Sequence, residues 1–152
     1  MKFTQRLLNL SFTLGQGDFG ESGSDTVTFT GVRCRVEISR AGGLNYSEIS
    51  LRAFGLPLDV MNRLTLLNAI AYQEQIFNRV TVSAGDADSM SVCFIGQIRE
   101  AWAEGAQPPD ISFVMTGYNG MYDMTRPIPP TSFRGSVDVA MALNGIATQM
   151  GY

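Results

Sequence analysis

Apolar residues recur at every second position along most of this chain, a pattern that commits those stretches to pleated strands with one buried face. Leu8, Leu10, Phe12 and Leu14 fall on one side, with Asn9, Ser11 and Thr13 on the other. A second strand opens with Val27 and Phe29 inward. After Gly31 the phase switches to Val32, Cys34, Val36 and Ile38, leaving Arg33, Arg35, Glu37 and Ser39 opposite. A glycine at a change of phase marks a β-bulge, so this segment reads as one long bent strand. Beyond the Ala41-Gly42-Gly43 turn, Ile49, Leu51 and Ala53 alternate with Glu48, Ser50 and Arg52. Val80, Val82 and Ala84 form the next strand, and Gly85 to Asp88 a hairpin turn. Met90, Val92, Phe94 and Ile98 then share a face opposite Ser91, Cys93, Gln97 and Arg99, and Ile111, Phe113 and Met115 follow Pro108-Pro109.

The period changes twice. From Pro57 onward the apolar positions are Val60, Met61, Leu64, Leu67 and Ala71, the spacing of a helix with one buried face. Near the end, Arg126-Pro127-Ile128-Pro129-Pro130 blocks helix and central strand alike. Ser136 is then placed to cap a helix, with Asp138 near its positive end and Val139, Ala140, Leu143, Ile146, Ala147 and Met150 as its apolar stripe. The expectation is a mostly β chain with one or two helices, an antiparallel β-sandwich or barrel with a flanking helix. Residues 1–125 form the β domain and 126–134 a Pro-rich linker. Residues 135–152 are a helix that opens a second, incomplete domain, as in the front of a longer chain. No repeat of solenoid or propeller period occurs.

Charge and residue usage narrow the chemistry. Of 152 residues only 16% are charged, so much of the polar surface is Ser, Thr, Asn, Gln and Gly, which suits close packing between subunits. The net charge is −3, Lys2 is the single lysine, and the arginines are scattered, which argues against a nucleic-acid binder with a basic stripe. The absence of histidine removes the Ser-His-Asp triad, the Cys-His pair and the usual zinc sites. Cys34 and Cys93 read as two reduced thiols in strands, with a disulfide between them left open. No uncharged stretch has the length and apolarity of a membrane span, and Met1 to Asn9 alternates rather than forming a signal run. The expectation is synthesis in a cytoplasm without membrane insertion, where the sequons at Asn9 and Asn45 carry no meaning.

Four motifs bear on function. Gly15-Gln16-Gly17-Asp18-Phe19-Gly20 matches G-x-G-x-x-G, but it leads into a strand rather than a helix. Asp18 and Glu21 would repel phosphate, and no lysine follows on a later strand. The loop is expected to be flexible, to reach away from the sheet, and to hold Phe19 as an exposed anchor. Asp86 and Asp88 lack the further oxygens of a calcium loop and read as a solvated turn. Glu100 and Glu104 flank Trp102 without the partner groups of a paired-carboxylate site. Arg33 and Arg35, with Glu37 beside them, read either as a solvated mixed-charge face or as a subunit contact or channel lining. No catalytic, cofactor-binding or metal site is expected, and the chain reads as a non-enzyme.

These residues also stand in a familiar order. The bulged strand Val32 to Ser39 and its glycine turn lead to Ile49-Ser50-Leu51-Arg52-Ala53-Phe54-Gly55-Leu56, and this runs into a helix with Met61-Asn62-Arg63-Leu64-Thr65. With Phe133-Arg134-Gly135-Ser136-Val137-Asp138-Val139 and Ala147 to Gly151 near the end, the chain resembles the N-terminal, tube-like domain of bacteriophage baseplate hub proteins. The resemblance implies a tail-tube fold, two antiparallel sheets with a helix on the flank. It implies subunits joining sheets around a ring, as a trimer or hexamer. The implied partners are the tail tube protein, a spike or tail-tip protein and other baseplate proteins, with DNA only in transit. The implied location is the virion tail, after synthesis in a host bacterial cytoplasm. The implied contacts are Gln16, Asp18, Phe19 and Glu21 in the glycine loop, and Arg33, Arg35 and Glu37 on the bent strand. A stand-alone tube or tube-adaptor ring protein is the second reading, and a β-barrel small-ligand carrier the third.

Overall fold

The computed structural model describes residues 5–20, 23–42, 46–67, 77–107, 110–120, 127 and 129–150. The chain divides into two compact units, Met1–Met121 and Tyr122–Tyr152.

The first unit is one antiparallel sheet of seven strands. They are β1 (Leu7–Thr13), β2 (Thr26–Thr30), β3 (Cys34–Ser39), β4 (Glu48–Phe54), β5 (Arg79–Gly85), β6 (Met90–Gln107) and β7 (Asp110–Tyr118), with helix α1 (Leu58–Leu64) between β4 and β5. Their order across the sheet is β2-β1-β5-β6-β7-β4-β3. The two outermost strands, β2 and β3, are thus consecutive in the chain. Seven strands at about 4.8 Å spacing make a flat sheet roughly 29 Å across. Residues 31–33 cannot bridge that distance, so the sheet folds over and brings its two ends together. The aromatic contacts agree. Phe12 on β1 and Phe113 on β7 lie three strands apart, yet their rings meet edge-on at 5.8 Å between centroids.

Two corners make the fold. The expected single bent strand is two strands: residues 31–33 leave the ladder, and Gly31, with φ at +71°, turns the chain from β2 to β3 and reverses the inward parity from Val27 and Phe29 to Val32, Cys34, Val36 and Ile38. The second corner lies in β6, whose first half pairs with β5 and second half with β7. Cys93 and Arg99 are each an extra residue in those ladders, one bulge on either side of Gly96. The result is a sandwich built from a single sheet, its corners made by strands that pass from one layer to the other. The first bulge corrects the expected face of β6. Phe94 and Ile98 point into the core, but Val92 and Met90, beyond the extra Cys93, turn outward and are exposed.

Leu10, Phe12, Ile49, Leu51, Ala53, Val80, Val82, Ile98, Ala101, Phe113 and Met115 fill the interior, all at 1% exposure or less. Helix α1 adds Val60, Met61 and Leu64. Pro57 is its N-cap, and the Pro57 carbonyl accepts from the Met61 N–H at 3.0 Å. The helix is shorter than the spacing predicts. It ends at Leu64, where Thr65 turns extended and Leu66 pairs with Ala101 in an isolated bridge. That exchange of backbone bonds with β6 stops the helix and leaves Leu67 exposed, while Ala71 lies outside the described residues.

In the second unit, helix α2 (Val139–Met150) is capped by Asp138 rather than Ser136. Its Oδ1 accepts from the Ala140 N–H at 3.0 Å and its carbonyl from the Ala142 N–H at 3.1 Å. Thr131 and the Gln149 side chain bond to each other at 3.2 Å. The expected buried stripe is not buried: Val139 and Leu143 are largely exposed, and Ile146 is partly so.

Candidate functional site

The backbone ladder decides what each end of the sheet offers. In an antiparallel pair, alternate residues bond to the neighbour and the others point their N–H and C=O away. The Phe54 N–H donates to the Arg33 carbonyl at 2.9 Å. Arg35 and Arg52, Glu37 and Ser50, and Ser39 and Glu48 are therefore the bonded rungs of β3 with β4. Cys34, Val36 and Ile38 direct their backbone groups outward, where no further strand lies among the described residues. At the other end, the Leu14 N–H donates to the Asp25 carbonyl at 2.8 Å and the Gly31 N–H to the Leu8 carbonyl at 3.3 Å. That phase turns Thr26, Thr28 and Thr30 outward. Ser24 occupies the first of these, its hydroxyl donating to the Thr26 carbonyl at 2.9 Å and accepting from the Thr26 N–H at 3.2 Å. Beside Thr28 and Thr30 no further strand lies among the described residues.

The core is thin along the same two strands. Inward residues at the centre of the sheet are almost fully buried, whereas Val27, Phe29, Val32, Cys34, Val36 and Ile38 are only half-buried against the core. Both open edges thus show unpaired backbone groups above partly exposed apolar side chains.

The side chains around β3 form paired charges. The Arg33 guanidinium lies 4.0 Å over the Phe54 ring and 3.2 Å from the Asp110 carboxylate. Arg35 pairs with Glu37, its Nε donating at 3.1 Å. Arg52 pairs with Glu104 and also donates to Ser112 Oγ at 3.3 Å. The first two pairs are mostly exposed, which holds each to below about 1 kcal/mol. Arg40 reaches across from the end of β3 to the Cys93 carbonyl at 2.6 Å. Cys34 stands at the opposite end of β3, about 20 Å of extended chain from Arg40. Both cysteines are free. Burial pushes the Cys34 thiol above its ordinary value. Its alkylation rate should therefore rise with pH along a curve displaced upward from that of a small free thiol, measured by peptide mass after timed iodoacetamide pulses; a curve matching the free thiol would show that Cys34 is solvated.

The glycine loop differs from its expected form. It does not reach away from the sheet. Arg63 on α1 donates to the Asp18 carbonyl and pairs with its carboxylate at 3.8 Å, while the Phe19 N–H donates to the Ser24 carbonyl at 2.8 Å. Asn78 Oδ1 accepts from the Gly15 N–H at 3.0 Å. Phe19 is no exposed anchor: it packs half-buried against the core. Gln16 and Asp18 stay exposed, and Glu21 lies outside the described residues. Phe19→Ala should therefore cost about 2 kcal/mol of folding free energy, measured by urea unfolding; an unchanged midpoint would return Phe19 to the role of a surface anchor.

Neither protein-family models nor curated proteins give a match to this chain.

The remaining motifs are accounted for locally. The Asp86 carboxylate accepts from the Asp88 and Ser89 N–H groups at 3.1 and 2.9 Å, so it holds its own turn. Glu104 is bound to Arg52, while Glu100 sits beside Thr116, four residue pairs along the ladder. The structure places Arg35 and Glu37 on β3 with Arg33 just before it, and Gln16 and Asp18 in the loop that leads into β2. Alternation reveals which face a residue takes, but not which strands end the sheet. The outward backbone of Thr28, Thr30, Cys34, Val36 and Ile38 was for that reason invisible in the sequence.

Proposed function

We propose that this protein is a structural component of a bacteriophage tail baseplate, the hub that joins the tail tip or spike to the tail tube and lines the DNA conduit. The observation that carries the reading is the pair of open edges, β2 and β3, at opposite ends of one folded sheet. An edge of this kind is a template for another strand, and β2 of one copy set against β3 of the next makes a head-to-tail contact that closes into a ring. Gln16 and Asp18 flank the first edge and Arg33, Arg35 and Glu37 the second, so they form the contact set. The short helix beside a folded antiparallel sheet is the further feature that the resemblance to tail hubs implies.

The ligand-carrier reading has less support. Phe12, Phe29 and Phe113 fill the space between the layers. A hollow of about 400 Å³ at Arg6, Leu7, Leu8, Ala84 and Gly85 is open to solvent.

Antibodies raised against the chain and coupled to gold should label the tail end of virions whose genome encodes it. Label on capsids or tail fibres, or virions that lack the chain, would overturn the assignment.

A further inference from the structure

The sequence of β3 is self-complementary in a way that a ring contact does not require. We infer that two copies of this chain pair through β3 in a two-fold, antiparallel arrangement centred on Val36. With Val36 opposite Val36 of the second copy, Cys34 faces Ile38 and Ile38 faces Cys34. These are the residues whose backbone groups point outward, so each of the three rungs exchanges two N–H to carbonyl bonds. The intervening positions bring Arg35 opposite Glu37 of the second copy, and Glu37 opposite its Arg35. These fall at non-hydrogen-bonded sites, where facing side chains come closest and opposite charges attract.

Neighbouring charges support the match. Within one chain Arg35 lies directly opposite Arg52, a like-charge neighbour on β4. Arg52 is already neutralised by Glu104. Glu37 of the second copy arrives on the other side of Arg35, closing a ring of two arginines and two glutamates with the existing Arg35–Glu37 pairs. The half-exposed Cys34, Val36 and Ile38 side chains gain apolar neighbours from the incoming strand. Centring the pair one residue away, on Arg35 or Glu37, would keep the outward backbone groups on the bonded rungs but set Arg35 against Arg35, or Glu37 against Glu37, of the second copy, so charge favours the register centred on Val36. One short strand per copy buries less than the roughly 1,200 Å² of a stable interface, and the pair is accordingly weak and reversible.

The pairing rests on β3 alone and stands whether or not the tail reading does. It occupies the edge that a head-to-tail ring also uses, so a paired chain is held out of the ring.

Sedimentation equilibrium at low ionic strength tests it on the whole chain. The wild type should show a monomer–dimer equilibrium that weakens as salt is added. Arg35→Glu and Glu37→Arg should each weaken self-association roughly tenfold or more, because both facing pairs become repulsive. Mixing the two variants should restore a dimer containing one of each, and the double exchange R35E/E37R should restore the homodimer. Both positions are exposed, so far-UV circular dichroism should show all four proteins folded alike. A wild type that stays monomeric at low salt, or single variants that dimerise as well as the wild type, would overturn the pairing. So would a mixture that associates no better than its components.

Discussion

Replacing Phe12 by alanine should lower the free energy of unfolding by about 3–5 kcal/mol, the usual cost of emptying a fully buried aromatic site. Phe12 has no exposure at all. It meets Phe113 from the far layer at 5.8 Å and Phe29 at 6.3 Å, so one side chain joins β1, β2 and β7. Those contacts hold the sheet folded over, and the surrounding backbone is fixed by ladders that cannot collapse into the gap. Since a domain of this size has only about 5–15 kcal/mol in total, the variant should be marginal at 25 °C. Urea unfolding followed by fluorescence gives the difference directly. A loss below about 1 kcal/mol would mean that the two layers are not held together there.

Gly117→Val should be nearly as damaging, for the opposite reason. A Cβ at Gly117 would lie 2.5 Å from the Gln97 carbonyl oxygen and 3.3 Å from Ile49. The first of these is backbone, which cannot swing aside, and it lies where β6 passes from one layer to the other beside the Arg99 bulge. Gly96, across the same corner, is equally confined, its missing Cβ lying 2.7 Å from the Tyr118 carbonyl. Overpacking of a built core costs typically 1–3 kcal/mol, and here a backbone clash adds to it, so a loss of about 3 kcal/mol or more is expected. Thermal unfolding of Gly117→Val beside Val114→Ile, on the outer face of the same strand, separates the corner from a general intolerance of β7. Equal midpoints for the two would contradict the close crossing.

The strands were legible wherever side-chain period alone decides them. The inward faces of β1, β4 and β5 follow the sequence, but the Gly31 phase switch, which predicts a bulge in one long strand, instead marks where the chain leaves β2 at one end of the sheet and enters β3 at the other. What the sequence could not show depends on pairing. Nothing in Met90, Val92 and Phe94 announces that Cys93 is an extra residue, because a bulge is defined by its partner strand. Leu67 keeps helical spacing, yet Leu66 is taken by Ala101 and the helix stops before it. Phe19 between glycines looks exposed in sequence, whereas the Arg63–Asp18 and Asn78–Gly15 contacts draw its loop back onto the unit. Of the candidate contact residues, the grouping of Arg33, Arg35 and Glu37 was visible. That they lie on a strand which ends the sheet was not, because strand order is set by long-range ladders.

Assembly through open sheet edges is tested most directly by comparing the wild type with Val36→Pro. Proline at Val36 removes an outward N–H that no strand among the described residues uses, so an edge strand tolerates it. Light scattering over a wide range of concentration, at low salt, should show the wild type growing to two, three or six copies. Val36→Pro should remain a folded monomer throughout. A wild type that stays monomeric at every concentration, or a Val36→Pro protein that assembles equally well, would rule out assembly through these edges.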